Sequence, residues 1–174
     1  EVLTANDRKQ IEGELEKSYQ CRPVFLNQEE LDLYYNAFSN RTLWPLLHHF
    51  PMLTEYDSAY WESYSAVNRK FFDILDPMVD AGDTIWVHDY QLLLLPELIK
   101  NAHPETRLGF FLHIPFPSSE IFRLLPWRRE VLNGMLGADL IGFHTYDYVR
   151  HFLSCIRRIM GYEAQLGTIT VGER

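Results

Sequence analysis

Three runs decide the fold: Asp83-Thr84-Ile85-Trp86-Val87-His88-Asp89, Arg107-Leu108-Gly109-Phe110-Phe111-Leu112-His113-Ile114, and Ala138-Asp139-Leu140-Ile141-Gly142-Phe143-His144. Each is short, mostly apolar and closed by a polar residue, the pattern of a buried strand. Residues 92–101 read as a helix between the first two. Pro115 and Pro117 stop the second strand. Ser118-Ser119-Glu120 then opens a helix, and residues 128–136 read as another before the third strand. Strands apolar on both faces, alternating with helices, imply a parallel sheet with helices on each side. The fold class is α/β, doubly wound and mainly parallel.

Upstream, Trp61, Tyr64, Val67, Phe71 and Leu75 recur every three or four residues and predict a long helix within 57–79. Asn27 followed by Glu30 forms a capping-box start for a helix through 31–38. The apolar run at 22–26 (RPVFL) suggests a buried strand, and the charged run at 6–17 a helix. Downstream, Thr145 caps a helix reaching Met160, with Gly161 just beyond it. Residues 167–172 (GTITVG) look like a final strand.

The 174 residues fit one domain, residues 1–174, without repeat or linker. A hydrophobic fraction of 47% with 23% charged residues excludes a disordered or coiled-coil chain. The net charge of −8 and the lack of a basic stripe exclude a general nucleic-acid binder or an anionic-membrane binder. Cys21 and Cys155 read as free thiols of a reducing compartment. No run approaches the ~20 apolar residues of a membrane span, and the opening residues lack a secretory leader's pattern. The expected location is cytoplasmic.

Ligands of open parallel sheets bind beyond the carboxyl ends of the strands. His88, Asp89, His113 and His144 therefore share one expected rim. A single strand-end histidine is commonly structural, but three on successive strands favour a site for the set. Three imidazoles and a carboxylate match a zinc shell by type, yet no H-E-x-x-H or C-x-x-C spacing is present, so no metal is expected. Phosphate-loop glycine motifs and a G-x-S-x-G nucleophile elbow are absent too. Residues 34–45 (YYNAFSNRTLWP) concentrate aromatic rings with amides and hydroxyls, which suits either a sugar-stacking surface or core packing between helices.

Four stretches, YYNAFSNRTLWP, IWVHDYQLLLLP, FFLHIPFPSSEIFRLLP and LIGFHTYDYVRHFLSC, resemble in content and order the trehalose-6-phosphate synthases, over about residues 23–161. The resemblance implies a two-lobed GT-B glycosyltransferase, with this chain as an incomplete, Rossmann-like N-terminal lobe that binds the acceptor. The nucleotide-sugar lobe would lie outside the chain, which is therefore expected to be inactive alone.

The implied reaction transfers glucose from UDP-glucose to glucose 6-phosphate with retention, without cofactor or metal. By motif, Tyr35 corresponds to a residue binding the acceptor phosphate and Trp44 to one lining that pocket. Asp89 corresponds to a residue bonding the acceptor sugar, and His113 to one meeting the donor glucose, the two being the implied catalytic pair. Ile114 matches a position shaping anomer selectivity. His144, His151 and Cys155 then read as structural. Gln91 departs from the family's usual histidine, which leaves open another acceptor such as glycerol phosphate or a cyclitol. A regulatory relative without turnover is the other alternative, and a homo-oligomer is possible in either case.

Overall fold

The structure, a computed structural model, describes residues 3–171. Helix α1 (Ala5–Tyr19) starts at Thr4, whose side chain and backbone exchange capping-box bonds with Asp7. It buries no residue and ends where Gln20 turns left-handed at φ 53°. Its charged sequence therefore reflects a solvated helix. The run predicted as a buried strand at 22–26 lies in no sheet, and its apolar members are half-buried. Leu26 rests against the core, but no neighbouring strand among the described residues offers this stretch a hydrogen-bond ladder.

Asn27 caps α2 (Gln28–Glu30), and Glu30 returns the bond to the Asn27 N–H at 2.8 Å. The chain continues as a π-helical segment, Leu31–Leu43, and then α3 (Trp44–Leu47). The Trp44 N–H reaches the Ser39 carbonyl, five residues back, so the turns are wider than α-helical ones. The helix expected at 31–38 is present, but with this wider bonding. Tyr34, Ala37, Phe38, Thr42 and Leu43 face inward.

Helix α4 (Ser58–Leu75) starts at Asp57, which accepts from the Ala59 N–H at 2.8 Å. It buries Tyr64, Val67, Asn68 and Phe72, while Trp61, Phe71 and Leu75 pack partly buried against the core. It is shorter than the predicted 57–79 because Asp76–Met78 tightens into a 3₁₀ turn around Pro77.

The predicted strands appear as β1 (Thr84–His88), β2 (Arg107–Leu112) and β3 (Leu140–Phe143), all parallel, in the order β1-β2-β3. Helix α5 (Leu95–Ala102) links the first pair; α6 (Ser119–Phe122) and α7 (Arg128–Leu136) link the second. Helix α8 (Tyr146–Cys155) follows, with a last π turn, Ile156–Met160, closed by Gly161 at φ +82°. The α/β parallel class stands.

Register puts Val87, Phe110 and Ile141 on one face, packed into the core, and Trp86, Gly109 and Leu140 on the other. Trp86 is 64% and Leu140 74% exposed. Within the described residues the helices cover one face, not the two expected. Trp86 lies over Gly109 and Phe111 over Gly142, where an added Cβ would touch the overlying ring.

Two glycines, Gly134 within α7 and Gly137 at its C-terminal cap, set the layer beneath the sheet. A Cβ on Gly134 would collide with the backbone of Leu93 and Leu94, and one on Gly137 with that of Pro96 and Glu97. Helix α7 therefore presses directly on the start of α5. Instead of one final strand, the chain ends in a small antiparallel hairpin, β4 (Ala164–Gln165) with β5 (Thr168–Ile169). Leu166 and Gly167 both take positive φ, the geometry of a tight two-residue hairpin turn. Gly172, the last residue of the predicted strand, lies outside the described residues.

Lys70 joins α4 to the end of α2, with its Nζ 2.9 and 2.7 Å from the two Glu30 carboxylate oxygens. Burial alone would raise the Glu30 pKa. Hydrogen bonds from Lys70 and the Asn27 N–H, with the Lys70 charge, outweigh it and hold the carboxyl below 4.5. A depressed folded-state pKa contributes stability above the unfolded value and loses it as pH falls through the folded one. After screening at this partly exposed site, Glu30→Gln is expected to cost about 0.5–1 kcal/mol at neutral pH. Urea melts of both proteins across pH should show that difference shrinking below pH 4.5; a difference that persists in acid would mean the pair does not act through charge.

Candidate functional site

The carboxyl ends of the three strands converge. β1 runs out at His88 and turns at Asp89, whose φ of 72° and ψ of 169° fall where residues other than glycine are strained by roughly 1–3 kcal/mol. Three bonds hold it there. The Asp89 N–H donates to the Phe111 carbonyl at 2.9 Å, its carbonyl accepts from the Leu92 N–H at 3.1 Å, and its Oδ1 accepts from the Tyr90 N–H at 2.9 Å.

The turn beyond Asp89 is anchored from two helices. From α4, the Tyr64 hydroxyl donates to the Tyr90 carbonyl at 2.7 Å and accepts from the Leu93 N–H at 3.0 Å. The Asn68 amide donates to the Gln91 carbonyl at 3.1 Å and accepts from the Leu94 N–H at 3.2 Å. From the π-helical segment, Tyr34 donates to the same Gln91 carbonyl, and Asn40 accepts from the Tyr90 hydroxyl. Burial pushes the Tyr64 and Tyr34 hydroxyls well above the usual phenol range, so both remain protonated.

His113 follows β2, and its Nε2 lies 2.8 Å from Nδ1 of His88. The His88 ring is stacked between Trp86 and His113, with centroids 5.1 Å away on each side. His144, after β3, meets His113 edge-on at 5.8 Å and Phe111 at 5.2 Å. His88, His113 and His144 thus form an exposed row of imidazoles beside half-buried Asp89. His144, read from the motif as structural, stands on this rim. His151 does fit a structural role, with Nδ1 bonded at 2.8 Å to the Phe116 carbonyl.

Tyr35 lies within the π-helical segment and Trp44 directly after it, and they are 42% and 43% exposed. Trp44 stacks on His48 at 4.0 Å and meets the Tyr90 ring at 5.6 Å. Burial, and then the neighbouring Tyr35 and Asp89, push the Tyr90 hydroxyl up to about 12. Tyr90 is therefore the hub around which Tyr35, Trp44 and Asp89 gather, although sequence reading passed over it. Ile114 is not on the rim: at 6% exposed it packs in the core.

The two aromatic faces suit the C–H surface of a sugar. The imidazoles and the carboxylate supply donors and acceptors for its hydroxyls. Cys155, the nearest thing to a buried nucleophile, has its thiol pushed up to about 12 by burial and is inert. Among the described residues no group of three or more His, Cys, Asp or Glu is arranged to hold a metal ion. No helix there is long and apolar enough to cross a membrane.

The chain is 52% identical over 161 residues to the UDP-forming alpha,alpha-trehalose-phosphate synthase A of Dictyostelium discoideum, covering 92% of this chain and 22% of that protein. Among solved structures, it superposes with a TM-score of 0.84 and 35% identity on the N-terminal domain of Candida albicans trehalose-6-phosphate phosphatase, covering 97% of this chain and 37% of the other. A Burkholderia xenovorans trehalose-phosphate synthase in complex with glucose-6-phosphate gives 0.75 and 38%, covering 78% and 30%. The chain thus spans a fifth to somewhat over a third of these proteins' lengths. Its parallel α/β fold is that of the N-terminal lobe of GT-B enzymes. The description of glycosyltransferase family 20 matches residues 1–173, and the chain belongs to that family.

Proposed function

We propose that this chain is the acceptor-binding lobe of a cytoplasmic, retaining glycosyltransferase that moves glucose from UDP-glucose to glucose 6-phosphate, yielding trehalose 6-phosphate and UDP. One observation carries the reading. Asp89 is held in a backbone conformation that favours glycine, one residue from His88 and so beside the His88–His113 pair. Strain of this kind persists where the surrounding structure imposes it, and it clusters at working sites.

In this reading Tyr35 and Trp44 seat the acceptor, with Tyr35 on its phosphate. Asp89 accepts a hydrogen bond from an acceptor hydroxyl, and His113 meets the donor glucose. The attacking hydroxyl forms a new C–O bond at the anomeric carbon, on the face from which UDP departs. The C–O bond to the diphosphate breaks, and the hydroxyl proton passes to the leaving phosphate. Catalysis rests on positioning and charge stabilisation. No protein nucleophile is required.

His88 acts one step back, as a positioning residue. The single proton between its Nδ1 and His113 Nε2 decides what His113 presents at Nδ1: a donor when His88 donates, an acceptor when His113 does.

A second reading has a specific observation behind it, since the Candida albicans neighbour is the N-terminal domain of a protein named as a phosphatase. In that case the lobe would bind sugar phosphate without turnover. A synthase assay separates the two, with UDP release from UDP-glucose and glucose 6-phosphate measured on a protein carrying this chain together with the rest of the family's length. Gln91, whose carbonyl is committed to Tyr34 and Asn68, leaves its side chain as the variable by which a different acceptor would be chosen.

In that protein, Asp89→Ala and His113→Ala should each lower kcat/KM by at least ~10². Asp89→Gly should be equally inactive, yet more stable than Asp89→Ala by about 1 kcal/mol, because glycine relieves the positive φ. Active Asp89→Gly enzyme would remove the carboxylate from the mechanism.

His88→Phe should reduce kcat about tenfold, with His88→Asn, which keeps a hydrogen-bonding group near the Nδ1 position, recovering most of it. Equal loss in both variants would make His88 a packing residue. Tyr35→Ala and Trp44→Ala should weaken glucose 6-phosphate at least tenfold more than UDP-glucose in calorimetric titration, whereas parallel losses would mean that the segment only packs.

A further inference from the structure

Away from the strand-end row, a cavity of about 580 Å³ opens between the loop after α6, the start of α7 and the last turn after α8. That volume lies within the roughly 300–1,000 Å³ of small-molecule sites. Arg123, Arg128, Arg129 and Arg158 line it, with Ser119 and Glu120. Four guanidinium groups thus meet one carboxylate, in a chain whose net charge is −8.

Among the described residues no carboxylate comes within 4.0 Å of Arg123, Arg128 or Arg129, and Arg158 reaches Glu120 only at 4.0 Å. Like charges gathered in a concavity repel one another and focus a positive potential into it, which an anion relieves. Arg128 is held in place as its Nη1 donates to the Leu125 and Pro126 carbonyls at 3.2 and 3.3 Å. Its remaining N–H groups stay available. Planar guanidinium forks match phosphate oxygens two at a time.

Glu120 shapes what else the ligand carries. Hydrogen bonds from its own N–H and from the Ser118 and Ser119 hydroxyls hold its carboxyl below the usual range, so it stays an acceptor at neutral pH. An acceptor facing four donors selects a molecule with hydroxyls as well as phosphate. The cavity is concave and the remainder of the chain acidic, which favours a small ligand over a nucleic-acid or membrane surface.

We propose that the cavity lined by Arg123, Arg128, Arg129 and Arg158 binds a small, hydroxyl-bearing phosphate ester. This inference goes beyond the transfer reaction and does not rest on it.

The test is calorimetric titration of this chain at low ionic strength with pyrophosphate and with ribose 5-phosphate, with circular dichroism to confirm folding. Each probe should bind once per chain. Arg123→Gln and Arg158→Gln should each weaken both at least about tenfold. Glu120→Gln, which removes the one negative charge in the lining, should tighten pyrophosphate. Arg150→Gln, at an arginine paired with Asp147 elsewhere, should leave the affinities unchanged. The proposal fails if neither probe saturates, if the Arg123 and Arg158 variants bind like wild type, or if Tyr35→Phe abolishes binding. It also fails if only heparin or anionic vesicles bind.

Discussion

The turn that follows β1 is built from buried and partly buried backbone groups, and Tyr64 and Asn68 of α4 satisfy them. One hydroxyl and one amide serve the Tyr90 and Gln91 carbonyls and the Leu93 and Leu94 N–H groups. Each such group left unpaired costs about 1–3 kcal/mol, so the clamp forms as a unit or fails as one. The site inherits its geometry from it. Asp89 cannot relax while the residues after it are fixed, and Tyr90 cannot swing away from Trp44 while its carbonyl is held by Tyr64. Gly134 of α7 and Gly137 at its cap complete the arrangement by letting that helix lie against the backbone at 93–97. A buried polar network of this kind specifies one arrangement of the core.

Charge is distributed with the same economy. The chain is acidic as a whole, yet four of the seven arginines after residue 116 line one concavity. The strand-end row carries imidazoles instead, groups that both donate and accept. The molecule therefore presents two polar surfaces of different chemistry, one of imidazoles and a carboxylate suited to hydroxyls, the other cationic and suited to phosphate.

Much of this was legible in the sequence. Strand-length apolar runs closed by His88, His113 and His144 announced both the parallel sheet and the rim, because a parallel ladder aligns the ends of its strands. Helix caps at Asn27 and Thr145 were legible for the same local reason: a side chain bonds a backbone group three residues away. What escaped depends on partners distant in sequence. The run at 22–26 has strand composition but no ladder to join. The pairing of His88 with His113 spans 25 positions and leaves no local mark. Nor do Arg123 and Arg158, on separate elements, form the contiguous stripe by which a basic site is recognised. The burial of Ile114 was hidden because a motif position says nothing about which way a side chain points.

The π-helical segment bears on how this stretch can vary between generations. An α-helix that gains or loses a residue rotates its remaining face by a fixed step and can recover by refolding its end. Here both ends are pinned, by the Asn27–Glu30 cap on one side and by Tyr90 and His48 against Trp44 on the other. Widened turns already absorb the available slack. Insertion or deletion of a single codon between the two ends would swing Tyr35 out of register with Trp44 and pull Phe38 from the core, whereas exchange of a solvent-facing residue such as Asn36 would disturb neither. In this stretch a change of length would disturb the site more than a change of residue at an exposed position.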